Sequence, residues 1–165
     1  MAQLNVQTIS SPIGRLHLVA EPEALRAVIF EESWADFKNQ NPNVAQKKTD
    51  ITALAALQLK EYFSGRRKKF DVPYKLEGTV FQKKVWTALR KIPYGTTHSY
   101  KQQAEAVGNP KAVRAVGGTN GRNPLAIILP CHRVIGTSGR LTGYAGGLDK
   151  KEFLLKLEGL SPKAN

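Results

Sequence analysis

The spacing of apolar residues changes between Leu76 and Thr79, and this change constrains the fold of the 165-residue chain more than any other feature. Before it, segments such as "LNVQTI", "GRLHLVA" and "LRAVIF" alternate apolar and polar residues, which is typical of β-strands. After it, apolar residues recur every three or four positions, which is typical of amphipathic helices. The two patterns predict two domains, a sheet-and-helix domain over residues 1–76 and a mainly helical domain over residues 77–165.

Turn and cap residues predict where the helices lie. In the first domain, "TDITALAALQLKEYFSG" predicts one helix with Leu54 and Leu57 facing the core. In the second domain, "TVFQ" and "SYKQ" each have the spacing of a capping box, in which the side chains of the first and fourth residues satisfy free N–H groups at a helix start. The C-terminal stretch "DKKEFLLKLEG" predicts a last helix with Phe153, Leu154 and Leu157 facing inward, ending at Glu158.

A tight "GNP" turn separates two short predicted helices and indicates a helix-turn-helix. Asn109 would cap the second of these helices, and Pro110 would occupy its first turn. Arg114 projects from that helix beside the small residues Ala115 and Gly118. Small side chains would let the helix approach a nucleic-acid groove closely, although they would equally serve helix–helix packing. Further on, "LAIIL" predicts a strand and "VIGTSGRLTGY" a glycine-turned hairpin, or wing.

The charge of the chain is uneven and indicates a polyanionic partner. The net charge is +12. Residues 1–78 carry 11 Lys and Arg against 9 Asp and Glu, or +2, and residues 79–165 carry 14 against 4, or +10. Neutralising phosphates with such a surface releases counterions and favours binding. No apolar run could span a bilayer and the N-terminus has no signal-peptide pattern, so we expect a cytoplasmic protein with no membrane partner.

Cys131 is the only cysteine, which excludes an internal disulfide and a cysteine-rich zinc site. Most lone cysteines are small buried apolar residues. To act as a nucleophile, this thiol would need a nearby base or positive charge. His132 is adjacent, but neighbouring side chains of an extended segment point apart, so a direct pair does not follow. Glu158 is the acidic residue best suited to orient His132, by analogy with catalytic triads.

Several segments together resemble the O6-alkylguanine-DNA alkyltransferases. The match runs over about residues 79–160 and is carried by these segments: "IPYG", "SY", "GNPKAVRAVGG", "RNP", "PCHRV", "GYAGGL" and "KEFLLKLEG". It extends more loosely to "SPIG" and "LKEYFSG" in the N-terminal part. The resemblance implies an α/β domain with a ribonuclease-H-like sheet and helix, followed by a mainly helical, winged helix-turn-helix domain that carries the site.

The resemblance implies a repair reaction. An alkyl group would pass irreversibly from O6-alkylguanine, or O4-alkylthymine, in DNA to Cys131, once per molecule, after the damaged nucleotide is flipped out through the minor groove. His132 would take the thiol proton through a water, and Glu158 would orient its imidazole. Tyr100 would help to protonate the leaving base. Asn123 would tie the recognition helix to the cysteine loop, and Lys151 matches a family lysine near the site.

The resemblance also implies the residues that bind the substrate. Arg114 would replace the flipped nucleotide in the base stack, with Ala115 and Gly118 allowing close approach. The carbonyls of Cys131 and Val134 would accept the exocyclic amine of guanine. The N–H of Ala145 would face O6, and Tyr144 would form a wall of the pocket.

No cofactor is expected, because alkyl transfer to a thiolate requires none, and no structural zinc is expected, because the zinc ligands of some relatives are missing. The expected partner is double-stranded DNA containing O6-alkylguanine, bound by a monomer, and cooperative binding along DNA stays open. Two alternatives remain. One is a lesion-sensing binder without transfer, although such relatives replace the acceptor cysteine. The other is a winged-helix regulator in which Cys131 senses oxidants.

Overall fold

A computed structural model describes residues 2–162. The chain forms two compact units. The first unit comprises the chain up to Leu76 together with Pro124–Ile128, and the second comprises Glu77–Asn123 and the chain from Leu129 onward. The segment Pro124–Ile128 thus belongs to the first unit, although it falls within the second of the two predicted domains.

The first unit is a four-stranded sheet with two helices. The strands are β1 (Asn5–Ile9), β2 (Leu16–Ala20), β3 (Leu25–Phe30) and β4 (Ala45–Gln46), in the order β3-β2-β1-β4. The pairs β1–β2 and β2–β3 are antiparallel, and β4 runs parallel to β1. The three predicted strand segments are therefore confirmed as β1, β2 and β3.

Two helices accompany this sheet, α1 (Glu31–Gln40) and α2 (Asp50–Phe63). The sequence analysis did not predict α1. Helix α2 was predicted, but the prediction that Leu57 faces the core was wrong, because this residue is 54% exposed. The buried residues of α2 are Thr52, Ala55, Gln58, Leu59 and Tyr62. Polar residues share this buried face because they have partners, as in the hydrogen bond from Thr52 Oγ1 to Gln7 Oε1 at 2.9 Å.

The segment "LAIIL" is not the predicted strand. Val28 donates its N–H to the Pro124 carbonyl at 2.8 Å and forms one isolated bridge with Leu125. Ile127 then has a φ of 72°, in the left-handed region that residues other than glycine rarely adopt. This conformation turns the chain, so the five apolar residues cannot form a continuous strand.

The second unit contains the helices α3 (Val80–Leu89), α4 (Tyr100–Ala106), α5 (Val113–Asn120) and α6 (Leu148–Leu157). Both capping boxes are confirmed, at Thr79 before α3 and at Ser99 before α4. The core of α3, α4 and α5 is formed by Val85, Ala104 and Val116. The predicted start of α5 was wrong, because the Ala112 N–H donates to the Asn109 carbonyl at 3.0 Å and closes a separate turn before the helix.

The region predicted as a wing has the turn but not the hairpin. Gly136 donates its N–H to the Arg140 carbonyl at 3.2 Å, which closes the turn. The strand before it, β6 (Val134–Ile135), pairs in parallel with β5 (His98–Ser99). In α6, Leu154 is buried as predicted, but Phe153 is 38% exposed, and Leu155 and Lys151 are buried with Leu154. No helix within residues 2–162 has both the length and the apolar character needed to cross a bilayer.

Candidate active site

Cys131 begins a single turn of 3₁₀ helix, Cys131–Arg133, after Pro130. The Cys131 N–H donates to the Leu129 carbonyl at 2.8 Å, and the Arg133 N–H donates to the Pro130 carbonyl at 3.0 Å. The cysteine is only 8% exposed. The chain therefore holds this thiol in a rigid turn instead of the extended segment assumed from the sequence.

Asn123, which lies three residues after the end of helix α5, contacts the thiol. Its Nδ2 donates to the Leu129 carbonyl at 2.7 Å and lies 3.2 Å from Cys131 Sγ. Burial raises the pKa of the Cys131 thiol, whereas this hydrogen bond and the positive charge of Lys151 lower it. The sulfur is thus shielded from solvent but has one donor and one cation that favour its thiolate form.

Glu158 binds both residues that follow the cysteine. His132 Nε2 lies 2.7 Å from Glu158 Oε2, and Arg133 donates from Nε to Oε1 at 2.8 Å and from its terminal nitrogen to Oε2 at 3.0 Å. Burial raises the pKa of Glu158, but these hydrogen bonds and charges outweigh burial and hold it well below its usual range. Glu158 is therefore ionised, and because a carboxylate only accepts hydrogen bonds, His132 carries its proton on Nε2.

The opposite nitrogen of His132, Nδ1, is buried and has no hydrogen-bond partner within residues 2–162. Burial lowers the pKa of His132, whereas the hydrogen bond that its Nε2 donates to Glu158 and the charge of that carboxylate raise it. A neutral imidazole with its proton on Nε2 has a free lone pair on Nδ1. His132 can therefore accept a proton at this atom.

Two residues that hydrogen-bond to Glu158 were not predicted from the sequence. Arg133 was not assigned a role, although it also donates to the Ile92 carbonyl at 2.7 Å. The "IPYG" segment was used to support the resemblance without a role for its residues, yet the Gly95 N–H donates to Glu158 Oε1 at 3.0 Å. Arg133 could have been recognised, because a basic residue beside His132 is a natural partner for a buried acid.

Lys151 and Tyr100 lie near each other, and both interact electrostatically with Cys131. Lys151 Nζ donates to the Thr142 carbonyl at 2.7 Å and lies 5.8 Å from the centre of the Tyr100 ring. Burial lowers the pKa of Lys151 to about 8, against the attraction of Cys131. Burial also raises the pKa of Tyr100, whose hydroxyl receives a hydrogen bond from Thr142 Oγ1 at 3.1 Å. The phenol therefore stays protonated and able to donate.

A cavity of about 280 Å³ opens beside the thiol. Its lining residues are Tyr100, Gly117, Asn120, Gly121, Cys131, Gly143, Tyr144 and Ala145. Of the residues singled out from the sequence, four lie here: Cys131, Tyr100, Tyr144 and Ala145. Asn120 and the three glycines were missed, because nothing in their local sequence distinguishes a cavity wall from ordinary packing.

Other predicted residues lie outside the cavity lining. Val134 is fully buried in β6. Arg114, Ala115 and Gly118 share an exposed face of α5, and a Cβ added at Gly118 would meet no atom within 4 Å. On the cavity side of the same helix, a Cβ added at Gly117 would lie 3.8 Å from the Tyr100 ring. Helix α5 therefore has one face toward solvent and one toward the thiol's cavity.

The described residues contain no cluster of the usual metal ligands. Within residues 2–162, no three His, Cys, Asp or Glu side chains lie together in a way that could hold a metal ion.

Comparison with known proteins identifies the family. Residues 5–76 match the family described as "6-O-methylguanine DNA methyltransferase, ribonuclease-like domain", and residues 80–160 match its "DNA binding domain". A methylated-DNA–protein-cysteine methyltransferase of Methanosarcina acetivorans is 53% identical over 149 residues, covering 90% of this chain and 94% of that protein. The constitutive methylated-DNA–protein-cysteine methyltransferase of Bacillus subtilis is 49% identical over 158 residues, covering 94% and 96%.

A solved structure agrees with this result. The crystal structure of Mycobacterium tuberculosis OGT in complex with DNA superimposes with a TM-score of 0.86 at 45% identity, covering 93% of this chain and 92% of that one. The fold class and the family inferred from the sequence are both confirmed. The chain belongs to the 6-O-methylguanine DNA methyltransferase family.

Proposed function

We propose that this chain repairs DNA by moving the alkyl group of O6-alkylguanine, or of O4-alkylthymine, irreversibly to Cys131, once per molecule. Two observations carry the proposal: the Cys131 thiol is buried beside the Asn123 amide and the charge of Lys151, and the adjacent His132 and Arg133 both bind the buried carboxylate of Glu158. The relatives named methylated-DNA–protein-cysteine methyltransferase support the same reaction, because their name states both the substrate and the acceptor residue.

Proton transfer would start the reaction. His132 Nδ1 takes the thiol proton through a water, and the Glu158 carboxylate stabilises the imidazolium that forms. Arg133 keeps Glu158 ionised and fixes its position. The Asn123 amide and the Lys151 ammonium stabilise the thiolate, which would otherwise be disfavoured by burial.

Alkyl transfer then exchanges one bond for another. The sulfur attacks the alkyl carbon, the S–C bond forms, and the bond between that carbon and O6 breaks with its electrons moving onto the base. The Tyr100 hydroxyl donates a proton to the base, so neutral guanine leaves. The proton lost by the thiol balances the proton gained by guanine once His132 and Tyr100 return to their starting forms. The thioether that remains has no chemical route back, so each molecule acts once.

The remaining site residues would hold the flipped base. In this proposal Tyr144 forms a wall of the cavity, the Ala145 N–H faces O6, and the carbonyls of Cys131 and Val134 accept the exocyclic amine. The cavity of about 280 Å³ that Cys131, Tyr144 and Ala145 line supports these roles.

Helix α5 would dock in the minor groove of duplex DNA. Its exposed face carries Arg114 together with Ala115 and Gly118, so the backbone can approach closely while the arginine reaches into the base stack. The protein would bind as a monomer, and the domain division at residues 76 and 77 would separate this DNA-binding part from the sheet. A cytoplasmic location stays a prediction from the sequence.

The test is the intact mass of the protein after mixing with a duplex that contains one O6-methylguanine. We expect a gain of one methyl group, mapped to Cys131 by peptide analysis, with a yield that stops at one per protein. A Cys131→Ala control should bind the duplex and gain nothing. In the same assay, Arg114→Ala should slow repair of the duplex far more than reaction with free O6-benzylguanine.

Two outcomes would overturn the proposal. Tight binding to the lesion without any mass change would make the protein a lesion-sensing binder. Full repair by Cys131→Ala would mean that the acceptor is another residue.

A further inference from the structure

Two buried carboxamides face each other at the end of the helix-turn-helix. Gln103 Nε2 donates to Asn120 Oδ1 at 3.0 Å, and Asn120 Nδ2 donates to Gln103 Oε1 at 2.6 Å. Gln103 is 2% exposed and Asn120 is 6% exposed. The pair joins α4 to the last residue of α5, and the sequence analysis assigned a role to neither residue.

The surroundings fix the orientation of both amides. Gln103 Nε2 also lies 3.4 Å from the Val85 carbonyl, which accepts hydrogen bonds but cannot donate one. The nitrogen of Gln103 must therefore face Val85 and Asn120 Oδ1. Its oxygen must then face Asn120 Nδ2, so the orientation of Asn120 follows from that of Gln103.

This arrangement leaves Asn120 with one N–H that is not used in a hydrogen bond among the described residues. One N–H of Asn120 Nδ2 is used by Gln103, and the other has no acceptor within residues 2–162. Asn120 lines the same cavity as Cys131 and Tyr100, where three of the other lining residues are glycines without side chains. An alkylated guanine offers hydrogen-bond acceptors at N7 and at O6.

We infer that Asn120 is a substrate-binding residue that donates its second N–H to an acceptor atom of the damaged base, and that Gln103 is the positioning residue that orients it. The inference rests on the proposed function, which brings the base to this cavity. Helix α5 would thereby contribute to both steps of repair, with Arg114 on its exposed face and Asn120 on its cavity side. Because Asn120 is positioned from α4, the donor would be in place before the base arrives.

Four variants test the inference: Asn120→Leu, Gln103→Met, the double variant that combines them, and the control Gln58→Met. Gln58 is as buried as Gln103 and also forms a two-way amide contact, with Asp71, but it lies in α2 of the first unit. For each variant, the methyl-transfer rate constant at saturating duplex and the melting temperature would be measured. Wild-type protein must first gain its methyl group, because failure there would concern the proposed function and not Asn120.

We expect Asn120→Leu to lower the transfer rate constant about tenfold, the effect of one lost hydrogen bond to the substrate. Gln103→Met should lower it less, because it only frees Asn120 to rotate. The double variant should recover melting temperature, since two apolar side chains replace a satisfied polar pair, yet transfer as slowly as Asn120→Leu. Gln58→Met should lose melting temperature and keep the wild-type rate constant.

Two results would overturn the inference. A wild-type rate constant in Asn120→Leu would exclude a contact with the base. Recovery of both melting temperature and rate constant in the double variant would make the amide pair a packing feature only.

Discussion

The chain contains two buried histidines, each beside a glutamate, and only one of them is adjacent to Cys131. In the first unit, His17 Nε2 lies 3.3 Å from Glu31; in the second, His132 Nε2 lies 2.7 Å from Glu158. Burial lowers the pKa of both histidines. By composition and burial alone, the two pairs would be equally good candidates for a general base.

Their remaining contacts separate them. His17 Nδ1 is bonded to Thr8 Oγ1 at 2.8 Å, and its ring stacks on Trp34 at 4.3 Å. The side chain of its partner Glu31 is 48% exposed, whereas that of Glu158 is fully buried. A histidine–carboxylate pair is therefore not a site by itself. The imidazole needs one nitrogen left for a proton and a partner that solvent cannot reach.

The largest expected difference between the two histidines is in transfer rate. His132→Phe should lower the methyl-transfer rate constant by two to four orders of magnitude, roughly the contribution of a general base. His17→Phe should leave this rate constant within about twofold, because both ring nitrogens of His17 are already hydrogen-bonded within the first unit. Rapid mixing with the methylated duplex measures both rate constants. If the two variants lost rate equally, His132 would have no special role as a base.

The next difference concerns stability. Glu158→Gln should lower the free energy of unfolding by about 3–5 kcal/mol, because Arg133 would be left as a buried charge without a counter-ion. Glu31→Gln should cost at most about 1 kcal/mol, since this partner is half exposed. Denaturant titrations measure both values.

The same variant has a pH signature. The folded-state pKa of Glu158 lies below its ordinary value of 4.5, so its contribution is complete above that pH and is lost as the pH falls toward the folded-state pKa. The difference in the free energy of unfolding between wild type and Glu158→Gln should therefore become smaller in acid. A constant gap would mean that the charge of Glu158 does not matter.

The smallest difference concerns two lysines over aromatic rings. Lys38 lies 5.8 Å from the Trp34 ring centre, and Lys151 lies the same distance from that of Tyr100. Lys151→Met should raise the pKa of the Cys131 thiol and slow its alkylation by iodoacetamide severalfold at neutral pH. The difference in alkylation rate between Lys151→Met and wild type should become smaller above about pH 8, where Lys151 itself loses its charge. Lys38→Met should leave the pH profile of Cys131 alkylation unchanged.

Much of the fold could be predicted from local patterns. The strands β1 to β3, the helix α2 and both capping boxes depend on neighbouring residues, which is why they were found. The errors have a different origin. "LAIIL" has the composition of a strand, but the left-handed conformation of Ile127 turns it, and Leu57 and Phe153 are exposed because other faces of their helices pack.

The candidate site shows the same division. Cys131, His132, Glu158, Tyr100, Asn123 and Lys151 could be named from motifs, and the structure brings their side chains around one thiol. Arg133 was not assigned a role although it belongs to "PCHRV", and the "IPYG" backbone and the Gln103–Asn120 pair could not be named from motifs. Their importance comes from what they contact, and those partners are 17 to 63 residues away in the chain.

The sequence by itself determined the two-part architecture, the excess of positive charge after residue 78, and the position of the only cysteine. These properties depend on residue type, local spacing and counting. Only the tertiary structure decided which histidine nitrogen is left for a proton, which acid is buried and ionised, and which amide faces the cavity. Burial and hydrogen-bond partners set these properties, and both depend on residues that folding brings together from distant parts of the chain.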